Sequence, residues 1–242
     1  MYQPRTYRHW IKDKDLLSFN VVVKETDLYI RASTNLKRKA LKLVLKYRHA
    51  LEKYIERHPD FPTSLEPVPV AEDAPRLVKS MAEAAAKAGV GPMAAVAGAI
   101  AEFVGGELLA FSPEIIVENG GDIYLKSLKQ RTIGIYAGKS PLSGRVGLKI
   151  DKEDTPLGIC TSSGTVGHSL SYGQADAVVV LSRSTALADA AATAMGNLIR
   201  KLDDIPKGIE FAQGIDGLLG AVVIEGDKIG LWGEVKVCQI SG

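Results

Sequence analysis

At 242 residues the chain can bury one sizeable hydrophobic core. Its 30 Lys+Arg against 28 Asp+Glu leave a net charge of +2, too small for an overall field that gathers nucleic acid. The two cysteines, Cys160 and Cys238, are too few for a disulfide framework or a zinc site. The opening Met1-Tyr2-Gln3-Pro4-Arg5 has no apolar stretch of the kind a secretion signal needs, and no apolar run is long enough for a membrane span. A cytoplasmic chain with no membrane partner is expected.

Phe19 to Val23 and Leu28 to Ala32 flank the polar Lys24-Glu25-Thr26-Asp27 and read as a β-hairpin. A long amphipathic helix follows, with Leu36, Ala40, Val44, Tyr47, Leu51, Tyr54 and Ile55 on one stripe. Asn35 or Thr34 can cap it, and Pro59 stops it near His58. Its other face carries Lys37, Arg38, Lys39, Lys42, Lys46 and Lys53. No aromatic residues are interleaved there for base stacking, so it reads as a solvated face.

Pro59, Pro62, Pro67, Pro69 and Pro75 make an extended connector. Asp73 is the expected cap of a helix that has Pro75 in its first turn and ends at Gly89. Gly91-Pro92 opens a helix from Met93 to Val104, whose small residues allow close approach by a neighbouring backbone or a ligand. Ile115–Glu118 and Asp122–Leu125 flank Asn119-Gly120-Gly121, a strong hairpin signal.

Further strands are expected at Thr132–Ala137, Arg145–Ile150, Leu157–Thr161 and Ala177–Leu181, with a Ser/Gly-rich loop from Ser162 to Gln174 that holds His168. Ser182 or Ser184 caps a helix running from Thr185 to Leu202. A hairpin through Gly226-Asp227 and a strand Val235–Ile240 close the chain. Hairpin-connected strands with few helices predict an α+β fold, with mixed or mainly antiparallel sheets flanked by helices, in one domain over 1–242.

Gly138-Lys139-Ser140 lacks the upstream glycine of a phosphate-binding P-loop. Gly164-Thr165-Val166-Gly167 lacks the dinucleotide-fold pattern. The four histidines are scattered, which speaks against zinc. Asp189 and Thr193, four residues apart, share one helix face. A carboxylate and a hydroxyl beside a backbone carbonyl are hard oxygen donors that suit Mg²⁺. Asp189 also lies near the start of its helix, where a carboxylate is favourable without any metal.

Three segments, in order, resemble the ApbE-like flavin-transferase superfamily. The first is Ala94-Ala95-Val96-Ala97-Gly98-Ala99-Ile100-Ala101-Glu102-Phe103, followed by the strand and turn Ile115 to Ile123. The second is Cys160-Thr161-Ser162-Ser163-Gly164, with His168 shortly after. The third is Thr185-Ala186-Leu187-Ala188-Asp189-Ala190-Ala191-Ala192-Thr193-Ala194, similar to the family's A-D-A-x-x-T-A helix.

The resemblance implies Mg²⁺ held by Asp189, Thr193 and the Ala97 carbonyl, with FAD or a related nucleotide as ligand. It implies cleavage of the flavin pyrophosphate, transfer of the flavin mononucleotide to a protein Thr or Ser, and release of AMP. The partners are then a small-molecule nucleotide or a protein acceptor, with homo-oligomer formation left open. Asn119, Gly120, Gly121 and Asp122 would approach the flavin or adenine, or serve only as a hairpin turn. Thr161, Ser162, Ser163 and Gly164 would offer N–H and hydroxyl groups to phosphate. His168 would contact ligand or move a proton, or be a loop histidine without a role.

The sequence departs from the family at two points. Gly98 stands where a lysine is usual after the alanine, and His168-Ser169-Leu170-Ser171-Tyr172 replaces an H-x-[IL]-D-P stretch. Without a lipoprotein signal, the chain resembles a short cytosolic branch, whose anaerobic members are associated with sulfur assimilation toward homocysteine. That implies an alternative in which Cys160 carries a persulfide; a small core hydrophobe is the plainer reading of this cysteine. A ligand-binding relative without catalysis is the third reading.

Overall fold

The computed structural model describes residues 15–164 and 173–240. In chain order the strands are β1 (Leu17–Val23), β2 (Thr26–Ala32), β3 (Ile115–Asn119), β4 (Asp122–Lys126), β5 (Arg131–Gly134), β6 (Val146–Ile150), β7 (Leu157–Ser162), β8 (Ala177–Ser182), β9 (Leu218–Glu225), β10 (Lys228–Gly233) and β11 (Val237–Gln239). The helices are α1 (Lys37–Arg57), α2 (Arg76–Ala88), α3 (Val96–Leu108), α4 (Thr185–Leu198) and α5 (Ile205–Gln213). Eight strands form one sheet in the order β1-β2-β3-β4-β7-β8-β9-β10, and three form a second in the order β11-β6-β5. Every pairing is antiparallel, as the run of hairpins predicts.

The large sheet has a core on each face, because alternate strand residues point opposite ways. Ile30, Ile115, Val117, Cys160, Val178, Val180 and Val223 face the helices. Ile116, Leu125, Ile159, Val179, Leu181 and Val222 face the small sheet, which contributes Leu148 and Ile150. The central strand β8 is buried along its whole length, which explains its unbroken run of apolar residues. Each such Val or Leu contributes about 1.5–3 kcal/mol of hydrophobic stabilisation when fully buried.

Along α1 the expected stripe packs inward: Ala40, Val44 and Leu51 are buried, and Tyr47, Tyr54 and Ile55 lie partly buried against the same core. Leu36, not Asn35 or Thr34, is the capping position of α1, and no side chain caps it there; the Asn35 side chain lies one residue further out and accepts the Lys37 amide at 3.1 Å. The proline connector is pinned by Phe61, fully buried against Tyr54. Gly89 takes the left-handed conformation (φ 68°) that ends α2.

Several boundaries differ from expectation. Asp73 does not cap α2; Pro75 precedes its first residue, and no side chain caps that end. The segment after Gly91-Pro92 begins as a 3₁₀ turn over Pro92–Ala95, so α3 starts at Val96 and runs on to Leu108. Ser184, not Ser182, caps α4, and α4 stops at Leu198 rather than Leu202. There Ile199 turns to extended backbone and sinks into the core, and its carbonyl takes the Gln174 amide at 2.8 Å. Helix α5 is not foreseen by the sequence reading; Pro206 in its first turn and Gly208 within it break the usual pattern. The closing strand is shorter than 235–240 and joins the small sheet beside β6.

Among the described residues no single helix is long and apolar enough to cross a membrane. At the start of the described chain, Arg131 is buried and holds Asp15 through two bonds of 2.8 and 3.0 Å. The same guanidinium reaches Glu114 at 3.0 Å and Ser127 at 2.9 Å, tying four segments together.

Candidate functional site

The N-termini of α3 and α4 meet over the helix-facing side of β4 and β7. What lets them meet is the absence of side chains. A Cβ on Gly98 would lie 2.4 Å from the Thr185 carbonyl oxygen and 2.8 Å from Asp189 Cβ. A Cβ on Gly158 of β7 would lie 2.5 Å from Thr185 Cα. Thr185 is therefore gripped from both sides, and no larger residue fits at either glycine without a backbone shift. The close approach expected of the small-residue helix is thus made by the α4 backbone.

Each helix supplies the acid for the other's first turn. Asp189 Oδ2 accepts the Gly98 amide at 2.8 Å. Glu102 Oε2 accepts the amides of Thr185 at 2.7 Å and Ala186 at 3.2 Å. Ser184 Oγ takes Leu187 N at 3.3 Å, and the Ser184 amide itself donates to Ser182 Oγ at 3.1 Å. The four donors that open α4 are all satisfied. The helix-end reading of Asp189 is realised, but at the N-terminus of α3 rather than of its own helix.

The Asn119–Asp122 turn joins this junction. Asn119 and Asp122 are paired across it, and Gly120 (φ 71°) and Gly121 (φ 107°) adopt conformations that L side chains rarely tolerate. Glu118 Oε1 accepts the Gly121 amide at 2.8 Å. Asn119 Nδ2 donates to the Ala97 carbonyl at 3.0 Å, and Asp122 Oδ1 accepts the Thr161 amide at 3.3 Å. Asn119, Asp122, Ala97, Thr161 and Asp189 are thereby brought to one place from five elements. Thr193 is half-buried one turn beyond Asp189.

Ser162 and Ser163 are half-buried and Gly164 is exposed. Gly164 donates its amide to the Ala175 carbonyl at 2.9 Å, which closes the base of the loop. That base presses on α4, because a Cβ on Gly173 would lie 1.7 Å from the Gly196 carbonyl oxygen. His168 lies outside the described residues.

Electrostatics mark the junction. Burial drives the Asp189 carboxyl well above the usual carboxylate range, the nearby Asp122 charge adds to this, and the amides of Gly98 and Ala97 oppose it. Glu102 is also pushed up by burial, against the amides it accepts. Cys160 is fully buried, and its thiol donates to the Thr185 carbonyl at 3.3 Å. Burial first, then the charges of Asp122 and Asp189, push that thiol well above its ordinary value. A carrier cysteine must be accessible and ionised. Cys160 is neither, so its placement matches a small core residue, in contrast to the catalytic role considered for it.

Two residues of the junction carry no role in the sequence reading. Glu102 is the one acid in the α3 run Val96–Val104, a visible anomaly within an otherwise small and apolar segment. Thr185 gives no such signal, because its importance lies in its backbone.

Residues 8–209 match the family model described as "AbpE bacteria". The chain belongs to this ApbE-type family. It is 46% identical over 221 residues to the UPF0280 protein of Methanocaldococcus jannaschii, covering 89% of this chain and 90% of that one. It is 44% identical over 235 residues to the UPF0280 protein of Methanopyrus kandleri, covering 94% and 95%. Among solved structures, the flavinyl transferase ApbE of Pseudomonas stutzeri superposes with a TM-score of 0.59 at 16% identity, over 90% of this chain and 94% of that one. The ApbE protein of Thermotoga maritima gives 0.61 at 14% identity, over 90% and 97%. At these identities the likeness shows the ApbE fold, and the α+β architecture with antiparallel sheets is the one expected.

Proposed function

We propose that this ApbE-family chain binds a flavin or adenine dinucleotide together with Mg²⁺ at the α3–α4 junction and carries out flavin-transferase-type chemistry there. The observation that carries the reading is the buried Asp189 carboxylate, bonded to the Gly98 amide next to the Ala97 carbonyl. A second buried carboxylate, Asp122, is close enough that its charge adds to burial in pushing Asp189 above the usual carboxylate range. Such a pair suits a divalent cation, which binds deprotonated oxygen donors and offsets their repulsion.

The donor chemistry fits the ion. Asp189, the Thr193 hydroxyl and the Ala97 carbonyl would hold it, with the carbonyl keeping a lone pair beyond the one Asn119 occupies. All are hard oxygens, and Mg²⁺ retains waters to complete its shell. When bound, the ion would neutralise phosphate charge and favour departure of the leaving group.

The chain's own residues would do the rest. The Asn119–Asp122 turn, with its two glycines, lets a flat ring lie against the backbone. At the adjacent end of β7 the Thr161 and Ser162 hydroxyls would face phosphate oxygens, because the Thr161 and Gly164 amides are already given to Asp122 and to the Ala175 carbonyl. In the reaction an acceptor Ser or Thr hydroxyl would form a bond to the flavin-side phosphorus. The pyrophosphate bond to the adenosine side breaks, AMP leaves, and the hydroxyl proton passes to a base, for which His168 is the candidate.

The test is incubation of the purified protein with FAD, with and without Mg²⁺, and with a hydroxyl-bearing peptide as acceptor. Mg²⁺-dependent nucleotide binding and AMP release support the reading. Absence of any Mg²⁺-dependent binding of FAD, ATP or AMP overturns it.

A further inference from the structure

Most of the buried surface of α4 is alanine, from Ala186, Ala188, Ala190, Ala191, Ala192 and Ala194, with Leu187 and Met195 the larger apolar side chains buried along it. Methyl groups interdigitate weakly, so they define a separation between helices better than an axial register. Leu187 and Met195 seat the helix, and polar contacts that converge on Thr185 fix its first turn. The N–H of Thr185 is held by Glu102 at 2.7 Å, its carbonyl receives the Cys160 thiol at 3.3 Å, and its Cα rests where Gly158 has no Cβ.

Of these holds, Glu102 provides the only charge. Its Oε2 also takes Ala186 N at 3.2 Å, so one carboxylate oxygen fixes two consecutive amides. A carboxylate at a helix N-terminus adds the favourable helix-dipole interaction to these bonds. Asp189 follows Thr185 by little more than one turn, and Thr193 by a further turn, with a rise of about 1.5 Å per residue along a rigid helix. Any slip at Thr185 is passed on to both.

We infer that Glu102 is a positioning residue, which sets the axial register of α4 and so holds Asp189 and Thr193 opposite the Ala97 carbonyl. The inference goes beyond the metal site proposed above and rests on that reading only for the ion; the register itself can be read without metal. Glu102 lies on α3, the helix that also carries Ala97 and Gly98, so its contact acts with the bond from Gly98 N to Asp189 Oδ2 to fix the two halves of the donor set relative to each other. Metal sites tolerate little misplacement of their donors, on the order of 0.5 Å.

The experiment compares Glu102→Ala with Glu102→Gln, whose amide oxygen can still accept both N–H groups. Glu102→Asp, which shortens the reach by one methylene, replaces the alanine variant if that one does not fold. Two readouts are taken on folded protein. Without metal, hydrogen exchange is followed over Thr185–Thr193, together with labelling of Cys160 by a small alkylating reagent. With Mn²⁺ as a paramagnetic probe for Mg²⁺, the affinity is titrated directly.

The expected result is faster exchange and faster Cys160 labelling in Glu102→Ala, with Mn²⁺ affinity lowered about tenfold or more, as for other loss of outer support to metal ligands. Glu102→Gln should restore both to within about threefold. Equal Mn²⁺ affinity in wild type and Glu102→Ala overturns the positioning role. If the wild type binds no Mn²⁺, the metal reading fails on its own. In that case unchanged exchange over Thr185–Thr193 in Glu102→Ala overturns the register role, and faster exchange upholds it.

Discussion

Glu102 and Asp189 each close the other's helix: the α3 acid takes the first amides of α4, and the α4 acid takes the Gly98 amide of α3. The exchange requires the two backbones to come within contact distance, and Gly98 is the point where they do. With no Cβ, Gly98 is the residue of α3 that permits the crossing.

Gly98→Ala should therefore destabilise the protein by about 1–3 kcal/mol, the range for overpacking a well-filled core. The clash is with the Thr185 backbone, which cannot rotate away. Gly106→Ala in the same helix is the control, since a Cβ there meets nothing within 4 Å. It should be neutral or stabilise by about 0.5–1 kcal/mol. Urea unfolding of both variants checks the contrast, and equal effects would remove the close approach as the reason for Gly98.

Cys160 and Cys238 should differ in reactivity. Cys160 is buried and bonded to the Thr185 carbonyl, whereas Cys238 on β11 is partly exposed. Native protein treated with an alkylating reagent should label Cys238 first and Cys160 only on unfolding. Cys160→Ser should retain ligand binding. Rapid native labelling of Cys160, with loss of function in the serine variant, would restore the persulfide reading.

Acid stability should depend on Asp15. The hydrogen bond from Arg131, then that from Lys129, holds its carboxyl well below the usual range. With a folded value lower than the unfolded one of about 4, this ion pair stabilises the native state above that pH. The contribution is lost as pH falls through the folded value. Asp15→Asn should be less stable than wild type at pH 7, with the gap shrinking as the pH is taken below about 4. Removing the other partner should cost more. Arg131→Ala leaves the Glu114 carboxylate buried without its cation, at a cost of about 3 kcal/mol. Denaturant titrations at pH 7 and at acid pH distinguish these outcomes.

How much of this was legible depends on whether the cause is local. The Asn119–Asp122 hairpin could be read directly because Gly-Gly between two apolar runs leaves few other conformations. The α1 stripe and the end of α2 at Gly89 were legible for the same reason. Helix α5 was not, because Pro206 and Gly208 weaken its local signal and its formation depends on packing against β9 and β10. The site divides in the same way. Asp189 and Thr193 stand out by helical spacing, whereas the link from Asn119 to Ala97 spans 22 residues and that from Gly98 to Asp189 spans 91. Contacts of that range are properties of the fold, and no sequence window contains them.

Asp189 itself gives the most direct test of the proposed site, because its two readings predict different pairs of effects. As the acid closing α3, it satisfies the Gly98 amide, and Asp189→Ala should lower apo stability by about 1 kcal/mol, as for loss of a helix cap. Asp189→Asn keeps an acceptor oxygen in place and removes the buried charge, so its apo stability should match or exceed that of wild type. As a cation ligand, the carboxylate is needed for its charge, which neither variant supplies. Both variants should then lose the rise in Tm that Mg²⁺ with FAD gives the wild type, since a ligand stabilises only the state that binds it. Thermal melts of the three proteins, with and without Mg²⁺ and FAD, decide the matter. A Mg²⁺-dependent shift that persists in Asp189→Asn would leave Asp189 as a helix-closing residue and move the cation elsewhere. Loss of the shift in a variant as stable as wild type would tie the ion to this carboxylate, because no defect in folding could account for it.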